Sequence, residues 1–198
     1  PLGIHPRVYY TDDMVPLILQ QELRGMPGAR FEYKSGDTYL LALALRRALA
    51  PLTITAYMQQ RLWMPLGMEF TGSWSVDHEP DGLEKVACCL TVAARDLAKI
   101  GRLLLDGGRR GERRLVSDVW SRASLQGDGF AVVPMAYQYG WRRPWPERGD
   151  VVATGHLGQF LYVNPTRRVI IVRQGRSRGG WTVDEWLMWL RELSESVG

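Results

Sequence analysis

The sequence predicts an α/β fold in which an antiparallel sheet is flanked by helices and carries a mainly helical insertion. Two observations predict this fold. Residues 30–130 contain several segments with helical periodicity, whereas residues 131–198 contain apolar runs separated by turns and then one amphipathic helix. With 198 residues, of which 45% are hydrophobic, the chain can bury a sizeable core. We therefore expect residues 1–198 to belong to a single domain.

Helices are predicted from caps, helix formers and breakers. A short helix is expected at residues 12–24, capped by Asp12, within otherwise extended chain rich in proline and glycine. Residues 37–50 are apolar almost all round and stop at Pro51, which predicts a buried helix. Further helices are predicted at residues 53–64, at residues 91–106 with Thr91 as N-cap and Gly107-Gly108 as the stop, and at residues 117–125.

Strands are predicted after Gly129 from alternating polar and apolar residues. Residues 137–141, 151–165 and 167–175 each fit a strand, and the last two are joined by a turn at 164–167. Because residues 169–172 are all apolar, the last strand should be covered on both faces. The closing helix carries an apolar stripe at helical spacing and should lie across this hairpin; the stripe is Val183, Trp186, Leu187, Leu190 and Leu193.

Charge and hydropathy exclude several classes of protein. The net charge is only +4, and its basic side is almost all arginine, with three lysines among 25 basic residues. The best candidates for a nucleic-acid surface are the segments 109–114 and 173–178, but both fit solvated turns better, so we expect no nucleic-acid partner. No run of 18 apolar residues occurs, so we expect no membrane span. The cellular compartment is left open.

Cysteine, metal and cofactor signals are weak. Cys88 and Cys89 are neighbours, which fits ordinary disulfide geometry poorly, so we expect no covalent framework. The irregular stretch 65–89 is longer than a simple connector and is typical of a loop that borders a site. Within it, the charged residues 77–81 could ligate a metal, but such loops are usually solvated. We expect neither a metal nor a cofactor.

Two short motifs contain groups suited to catalysis. Tyr33 stands two residues before Ser35, immediately before the predicted helix at 37–50. A phenol held beside an ammonium group can exchange protons, although an ordinary turn tyrosine before a capped helix has the same pattern. The second motif is His156-Leu157-Gly158-Gln159 in the predicted strand, where an edge strand with glycines could offer N–H groups to an oxyanion. A bulged strand with an exposed histidine explains that motif equally well.

The order of these motifs resembles the penicillin-recognising serine hydrolases. This group includes class C β-lactamases, D-alanyl-D-alanine carboxypeptidases, esterases of that fold and 6-aminohexanoate-dimer hydrolases. The resemblance is greatest to the last branch and runs from about Arg30 to the C-terminus. It is carried by four segments, FEYKSGDTYLLALALRRA, LWMPLGM, TVAARDLAKIGRLLLDGG and GHLGQFLYVNP.

The resemblance implies roles for individual residues. Its mechanism uses a nucleophilic serine activated by a lysine one helical turn later, with a tyrosine assisting proton transfer. Tyr33 resembles that catalytic tyrosine, and Ser35 resembles the polar group beside it that binds substrate or lysine. His156 and Gly158 resemble the third motif, and Gln159 follows it where its N–H could face the oxyanion. Lys34 has no implied catalytic role.

The nucleophile motif is absent from this sequence. A Ser-x-x-Lys motif needs serine three residues before lysine, and the three lysines have Phe31, Gly82 and Asp96 at that position. In the family this motif precedes the tyrosine motif by many tens of residues, whereas 32 residues precede Tyr33 here. We therefore expect that the chain is the C-terminal major part of a β-lactamase-like domain. A companion polypeptide would carry the N-terminal segment, without which the apolar face at 40–45 would meet water.

The implied function is hydrolysis of an amide or ester through an acyl-enzyme. Histidine replaces lysine in the third motif, which favours small linear amides or esters, such as 6-aminohexanoate oligomers, over β-lactams. A β-lactamase or D-alanyl-D-alanine carboxypeptidase remains an alternative within the family. In a different class, the chain would be a catalytically silent module that binds a small ligand.

Overall fold

A computed structural model describes residues 4–23, 25–26, 29, 31–126 and 136–197. The chain divides into two compact units. The first comprises Pro1–Met64 and Thr71–Val92, and the second comprises Pro65–Phe70 and Ala93–Gly198. Each unit is described by itself. Residues 127–135, where the sequence predicts the change from helices to strands, lie outside the described residues.

The first unit is mainly helical. Its helices are α1 (Ile4–Tyr9), α2 (Val15–Leu19), α3 (Ser35–Leu49) and α4 (Ile54–Met58), and α4 continues through a π-helical turn (Gln59–Trp63). The unit ends at Met64, the first residue of α5 (Met64–Leu66), whose other two residues belong to the second unit. Two short strands, β1 (Ser73–Trp74) and β2 (Leu90–Thr91), pair antiparallel. The predicted helices at 37–50 and 53–64 are confirmed, and Thr53 caps α4 by accepting the Ala56 N–H at 3.0 Å.

Three predictions for this unit need correction. The sequence did not predict helix α1, since proline usually breaks a helix, but Pro6 lies in its first turn, where proline is tolerated. The helix predicted at 12–24 is the shorter α2, and its expected last residue, Arg24, lies outside the described residues. Helix α3 is not buried all round: it buries Tyr39 and Ala42, while Leu41 is 72% exposed.

The core of the first unit gathers side chains from its helices and its long loop. Its fully or nearly buried members are Val8, Met14, Ile18, Tyr39, Ala42, Ile54 and Leu83. The Tyr39 hydroxyl is buried, and no hydrogen-bond partner for it lies in the described part of the chain. Burial and the nearby Tyr9 raise the pKa of Tyr39 to about 12, so this phenol stays neutral.

The second unit is built around a five-stranded antiparallel sheet. Its strands are β5 (Ala136–Gln138), β6 (Trp141–Arg143), β7 (Val151–Gly155), β8 (Gln159–Asn164) and β9 (Val169–Arg173), and neighbours along the chain are neighbours in the sheet. A short hairpin of β3 (Arg109–Arg110) and β4 (Arg113–Arg114) stands apart from this sheet. The helices are α6 (Ala94–Leu105), α7 (Asp118–Gln126) and α8 (Val183–Ser196).

Helices cover both faces of the sheet. Because side chains alternate along β8, neighbouring residues of this strand belong to different clusters. Leu161 and Val163 lie with Leu104 of α6 in one cluster, whereas Phe160 and Tyr162 lie with Leu187 and Leu190 of α8 in another. Helix α8 therefore lies on the hairpin as predicted. Strand β9 is also covered on both faces, since Ile170 joins the first cluster and Ile171 the second.

Two predictions for the second unit were wrong. The run at 151–165 is not one strand: it folds back at His156–Gly158, so that Gly155 pairs with Gln159 and Val151 with Val163. Thr91 does not cap α6, because its main chain pairs with Ser73 of β1 and the helix begins at Ala94.

The adjacent cysteines also differ from expectation. Cys88 and Cys89 form a disulfide, although their Cα atoms are only 3.8 Å apart. The bond joins sequence neighbours, so it ties no two distant elements together.

No single helix among the described residues is long and apolar enough to cross a membrane. The pair of helical segments Ser35–Leu49 and Ile54–Leu66, bent by 77°, meets the length and composition requirement only when taken together.

A buried carboxylate joins the segment 65–70 to helix α6. Asp96 is fully buried and accepts the main-chain N–H groups of Glu69 at 2.8 Å and Phe70 at 2.9 Å. The Lys99 ammonium donates to Asp96 at 2.9 Å and to the Gly67 carbonyl. Burial opposes ionisation of Asp96, but these hydrogen bonds outweigh it and lower the pKa of the carboxyl group.

We expect Asp96→Asn to lower the free energy of unfolding by about 2–3 kcal/mol at pH 7, because charge-assisted hydrogen bonds are lost. A carboxyl group with a lowered folded pKa stabilises the fold above its unfolded pKa of about 4, and the contribution disappears as the pH falls through the folded value. Urea unfolding should therefore show the gap between wild type and variant narrowing below about pH 4.

The control for this experiment is Glu192→Gln, which neutralises an exposed carboxylate on α8. Its unfolding free energy should follow that of the wild type at every pH. A gap for Asp96→Asn that stays constant down to pH 3 would show that the carboxylate charge does not stabilise the fold.

Candidate functional site

Tyr33 and Ser35 stand at the entrance to helix α3, in the first unit. Residues 31–34 have no regular secondary structure, Lys34 is the N-cap residue with an extended backbone, and Ser35 is the first helical residue. The Tyr33 side chain is 57% exposed, and Ser35 is half-buried. Lys34 forms an ion pair with Asp37 at 3.5 Å. Asp37 lies in the first turn of the helix, where a negative charge is favourable. The phenol is thus accessible, as a group that exchanges protons must be.

Gln21 fixes the start of this helix. Its side-chain amide donates to the Ile18 carbonyl at 3.0 Å and to the Gly36 carbonyl at 3.2 Å. Gly36 is buried, and a Cβ there would lie 1.6 Å from Oε1 of Gln21. The glycine therefore lets the amide lie directly on the helix backbone, which holds the Tyr33–Ser35 segment beside α2. No sequence signal pointed to Gln21.

The third motif lies in the second unit, at the turn between β7 and β8. His156 and Leu157 are exposed, whereas Gly158 is buried. Leu157 has φ 60° and Gly158 has φ 80°, so two successive residues adopt the left-handed conformation. The sequence suggested that the motif is on an edge strand. In the structure it lies instead where two inner strands of the sheet, β7 and β8, meet. No partner for the His156 ring occurs among the described residues.

Arg173 holds this turn from the neighbouring strand. Its guanidinium donates to the Gly158 carbonyl and, at 2.9 Å, to the Ser177 carbonyl, and it lies 4.0 Å over the ring of Trp186 on α8. The segment 173–178, expected to be a solvated basic turn, therefore includes a structural arginine. The position of Arg173 at the end of a predicted strand does not reveal that it holds the turn. Its partners lie in a loop and in helix α8, outside that strand.

Gln159 is committed to the loop after β9. Its side chain donates to the Gly175 carbonyl at 2.5 Å and accepts the Gly175 N–H at 3.1 Å. These two bonds and those of Arg173 tie the turn at 156–158 to the loop at 174–178. The side-chain amide of Gln159 is thus occupied, and only its main chain remains for the oxyanion role implied by the sequence.

The charged loop at 77–81 uses its first carboxylate for the main chain. Asp77 is buried and accepts the N–H groups of Met14 at 2.9 Å, His78 at 3.0 Å and Leu83 at 2.7 Å. Three convergent donors define a site for an anion, which here is the carboxylate itself. Across the described ranges, no three His, Cys, Asp or Glu residues are grouped as metal ligands.

The three lysines each have partners other than a serine hydroxyl. Lys34 pairs with Asp37, and the buried Lys85 donates to the Tyr9 carbonyl at 3.3 Å. Lys99 bonds Glu69 at 2.8 Å as well as Asp96. The hydrogen bond to Glu69, helped by Asp96, raises the pKa of Lys99 against the effect of burial. A lysine held protonated in this way is unsuited to be a general base.

The crowding around Gly158 gives a test of the turn. We expect Gly158→Ala to lower the free energy of unfolding by about 1–3 kcal/mol more than Gly149→Ala. Both glycines have positive φ, 80° and 77°, so both variants carry a similar backbone strain. A Cβ at position 158 would lie 2.7 Å from Nη1 of Arg173, whereas a Cβ at position 149 meets nothing within 4 Å.

Urea unfolding of both variants measures this difference. Equal losses would mean that the Arg173 contact adds nothing to the conformational requirement for glycine at this turn.

Comparison with known proteins agrees with this geometry. A β-lactamase family model matches residues 4–180. The 6-aminohexanoate-dimer hydrolase of Paenarthrobacter ureafaciens is 32% identical over 162 residues, which are 76% of this chain and 41% of that protein. A structure assigned as a 6-aminohexanoate-dimer hydrolase from Bacillus anthracis superposes with a TM-score of 0.79 at 22% identity, over 92% of this chain and 48% of that one.

A second solved structure shares the fold more distantly. A protein from Bacteroides dorei DSM 17855 that is assigned as a β-lactamase has a TM-score of 0.59 at 17% identity, over 83% of this chain and 57% of that one. The chain thus spans about half the length of the relatives it matches. The mixed fold, the order of the motifs and a family match over most of the residues together show that this chain belongs to the β-lactamase family.

Proposed function

We propose that the complete protein is a serine hydrolase that cleaves a small linear amide or ester through an acyl-enzyme. Tyr33 is its proton-transfer residue, and the nucleophilic Ser-x-x-Lys motif is supplied by a segment outside this chain. The observation that carries the proposal is an exposed tyrosine, in a Tyr-x-Ser motif at the entrance to α3, in a chain of the β-lactamase family.

The chemistry assigns a task to each motif. The serine oxygen attacks the substrate carbonyl carbon, the serine proton passes to the leaving group, and water later cleaves the acyl-serine bond. Tyr33 assists that proton transfer, and Ser35 hydrogen-bonds substrate or the catalytic lysine. The turn with His156 and Gly158 lines the acyl site, and the main-chain N–H of Gln159 stabilises the oxyanion.

Two features support a nucleophile from another segment. No serine stands three residues before any of the three lysines, and each of those lysines already has other partners. In addition, α3 presents Leu40, Leu41 and Leu45 at 42%, 72% and 42% exposure. An apolar face of this kind is favourable only when another surface covers it, at about 25 cal/mol per Å². A companion polypeptide with the N-terminal segment would meet both requirements.

The substrate class rests on the third motif and on the named relatives. Where β-lactamases have lysine, this chain has the exposed His156, an imidazole in place of an ammonium group. One relative, at 32% identity, is a 6-aminohexanoate-dimer hydrolase, and its name describes cleavage of a linear amide. Linear amides and esters are therefore preferred here over β-lactams and over D-alanyl-D-alanine peptides.

We expect Tyr33→Phe to lower kcat/KM of the full-length gene product by about 10²–10⁴-fold, because an acid-base group is removed from the acylation step. Its thermal unfolding should be unchanged, since the hydroxyl is on an exposed side chain. The matched control is Tyr10→Phe, which removes a hydroxyl from a tyrosine that is 91% exposed and outside the motif. Near-normal turnover of Tyr33→Phe would remove this residue from the mechanism.

Fluorophosphonate labelling separates the hydrolase from a silent binding module. The reagent is applied to the full-length gene product, including any companion polypeptide. Label on a serine of the N-terminal segment supports the hydrolase. Absence of label in the full-length product would contradict it and favour the binding module. Hydrolysis of 6-aminohexanoate dimer, a simple nitrophenyl ester and a chromogenic cephalosporin, compared by kcat/KM, then separates linear amidase, esterase and β-lactamase.

A further inference from the structure

Four arginines are crowded into the hairpin of β3 and β4. In this arginine hairpin, residues 109–114, Arg109 is directly opposite Arg114 and Arg110 is directly opposite Arg113. Opposed residues in an antiparallel pair share a face, with Cβ atoms about 5 Å apart, and like charges in such pairs are destabilising. The hairpin therefore concentrates positive charge at a cost to its own stability.

Among the described residues, no carboxylate forms an ion pair with these four arginines. Arg109 donates to the Glu112 carbonyl at 2.5 Å, and Arg114 donates to the Gly107 carbonyl at 3.0 Å, so both are held by the main chain and keep their charge. The guanidinium groups of Arg110 and Arg113 are exposed and have no hydrogen-bond or ion-pair partner within the residues that the structure describes. The second pair is thus free to bind an anion.

A cavity of about 240 Å³ lies beside Arg109 and Arg110, and all of its lining belongs to the second unit. Four basic side chains and one acidic side chain line it, together with two leucines; the lining is Leu66, Lys99, Arg102, Leu103, Asp106, Arg109, Arg110 and Gly111. The Arg110 guanidinium reaches across to Gly67, since its Nη2 would be 3.3 Å from a Cβ at that position. The charge is therefore gathered round a concave surface.

The one acid of the lining is already paired. Asp106 accepts Arg102 Nε at 2.6 Å and Arg168 Nη2 at 2.7 Å. Partial burial opposes its ionisation, but these two guanidinium groups outweigh burial and lower the pKa of Asp106. It therefore remains an anion that is fully occupied by its own partners, and it leaves the charges of Arg109 and Arg110 uncompensated.

We propose that the arginine hairpin and its cavity bind a small multivalent oxyanion, either inorganic phosphate or the phosphate group of a small metabolite. The ligands are Arg110, which lines the cavity, and Arg113, which is directly opposite Arg110 in the hairpin. Planar guanidinium groups match phosphate oxygens in bidentate pairs. Leu66 and Leu103 supply an apolar floor for an organic substituent. A small ligand fits better than a nucleic acid, because the charge surrounds a cavity of metabolite size rather than forming a long stripe.

Calorimetric titration of the full chain with inorganic phosphate tests the site, with chloride replacing phosphate at constant ionic strength in the blank. We expect saturable binding at one site. The double variant Arg110→Gln, Arg113→Gln should bind at least about tenfold more weakly, because charge-assisted hydrogen bonds are lost. Phenyl phosphate should bind more tightly than phosphate if the leucine floor is used, which separates a phosphate monoester from the free ion.

The control carries the same change in net charge. Arg7→Gln with Arg47→Gln removes two exposed arginines of the first unit and should leave phosphate affinity unchanged. Equal weakening in both double variants would reduce the effect to net charge and overturn the site. Failure of phosphate and phenyl phosphate to saturate, with salt-sensitive binding of a short DNA duplex, would also overturn it in favour of a macromolecular polyanion.

Thermal unfolding gives a second readout that does not depend on affinity fitting. Without phosphate, the Arg110→Gln, Arg113→Gln variant should melt at or above the wild-type Tm, because an opposed like-charge pair has been removed. Phosphate should then raise the Tm of the wild type and of the control, but not that of the hairpin variant. An equal rise in all three proteins would contradict the proposal.

Discussion

The second unit depends on the requirement that strand β8 bury both of its faces. Phe160, Leu161, Tyr162 and Val163 are consecutive and all nearly inaccessible, so helices must cover both sides of the strand. The buried Tyr162 hydroxyl donates a hydrogen bond to the Asp150 carboxylate at 2.7 Å. Burial and the Asp150 hydrogen bond raise the pKa of Tyr162, so this phenol is a structural hydrogen-bond donor and not a catalytic one. From this constraint follow the positions of α6 and α8 and of the turn that carries His156.

Some of this arrangement was readable from sequence. Helix α8 was predicted correctly from its apolar stripe, whose members lie within a few turns of each other. The structure adds a capping box of Thr182 and Glu185 that the sequence analysis did not use. Covering of β9 on both faces also followed from its unbroken apolar run. These features depend on local chemistry and on periodicity, which a single sequence contains.

The features that were missed depend on contacts between distant segments. Thr91 resembles an N-cap, but pairing with Ser73 commits its main chain to a strand. The turn at 156–158 is hidden because Leu157 adopts a left-handed conformation that its residue type disfavours, and it is Arg173 that holds the turn. The Tyr33 motif was found from its order along the chain, whereas Gln21, which fixes the helix behind it, gave no signal.

The preference for arginine over lysine has a structural explanation. Arg46 donates to the Gly82 carbonyl at 3.3 Å and the Asp81 carbonyl at 3.2 Å, and Arg173 joins two carbonyls and an indole ring. A planar fork of five donors can satisfy several loop carbonyls at once, which an ammonium group on a flexible stem does less well. Guanidinium groups thus hold the loop at 81–82 and join the turn at 156–158 to the loop after β9.

Strand β9 is an outer strand of the described sheet, and its four apolar residues 169–172 are only half-buried. A short β-branched run on an unpaired edge is a template on which other chains assemble into aggregates. Arg167 and Arg168 precede this run and Arg173 ends it. Charges on both flanks act as gatekeepers against such assembly. The arginine that shapes the turn near His156 therefore also places a charge at the end of the apolar edge strand, where it opposes pairing with another chain.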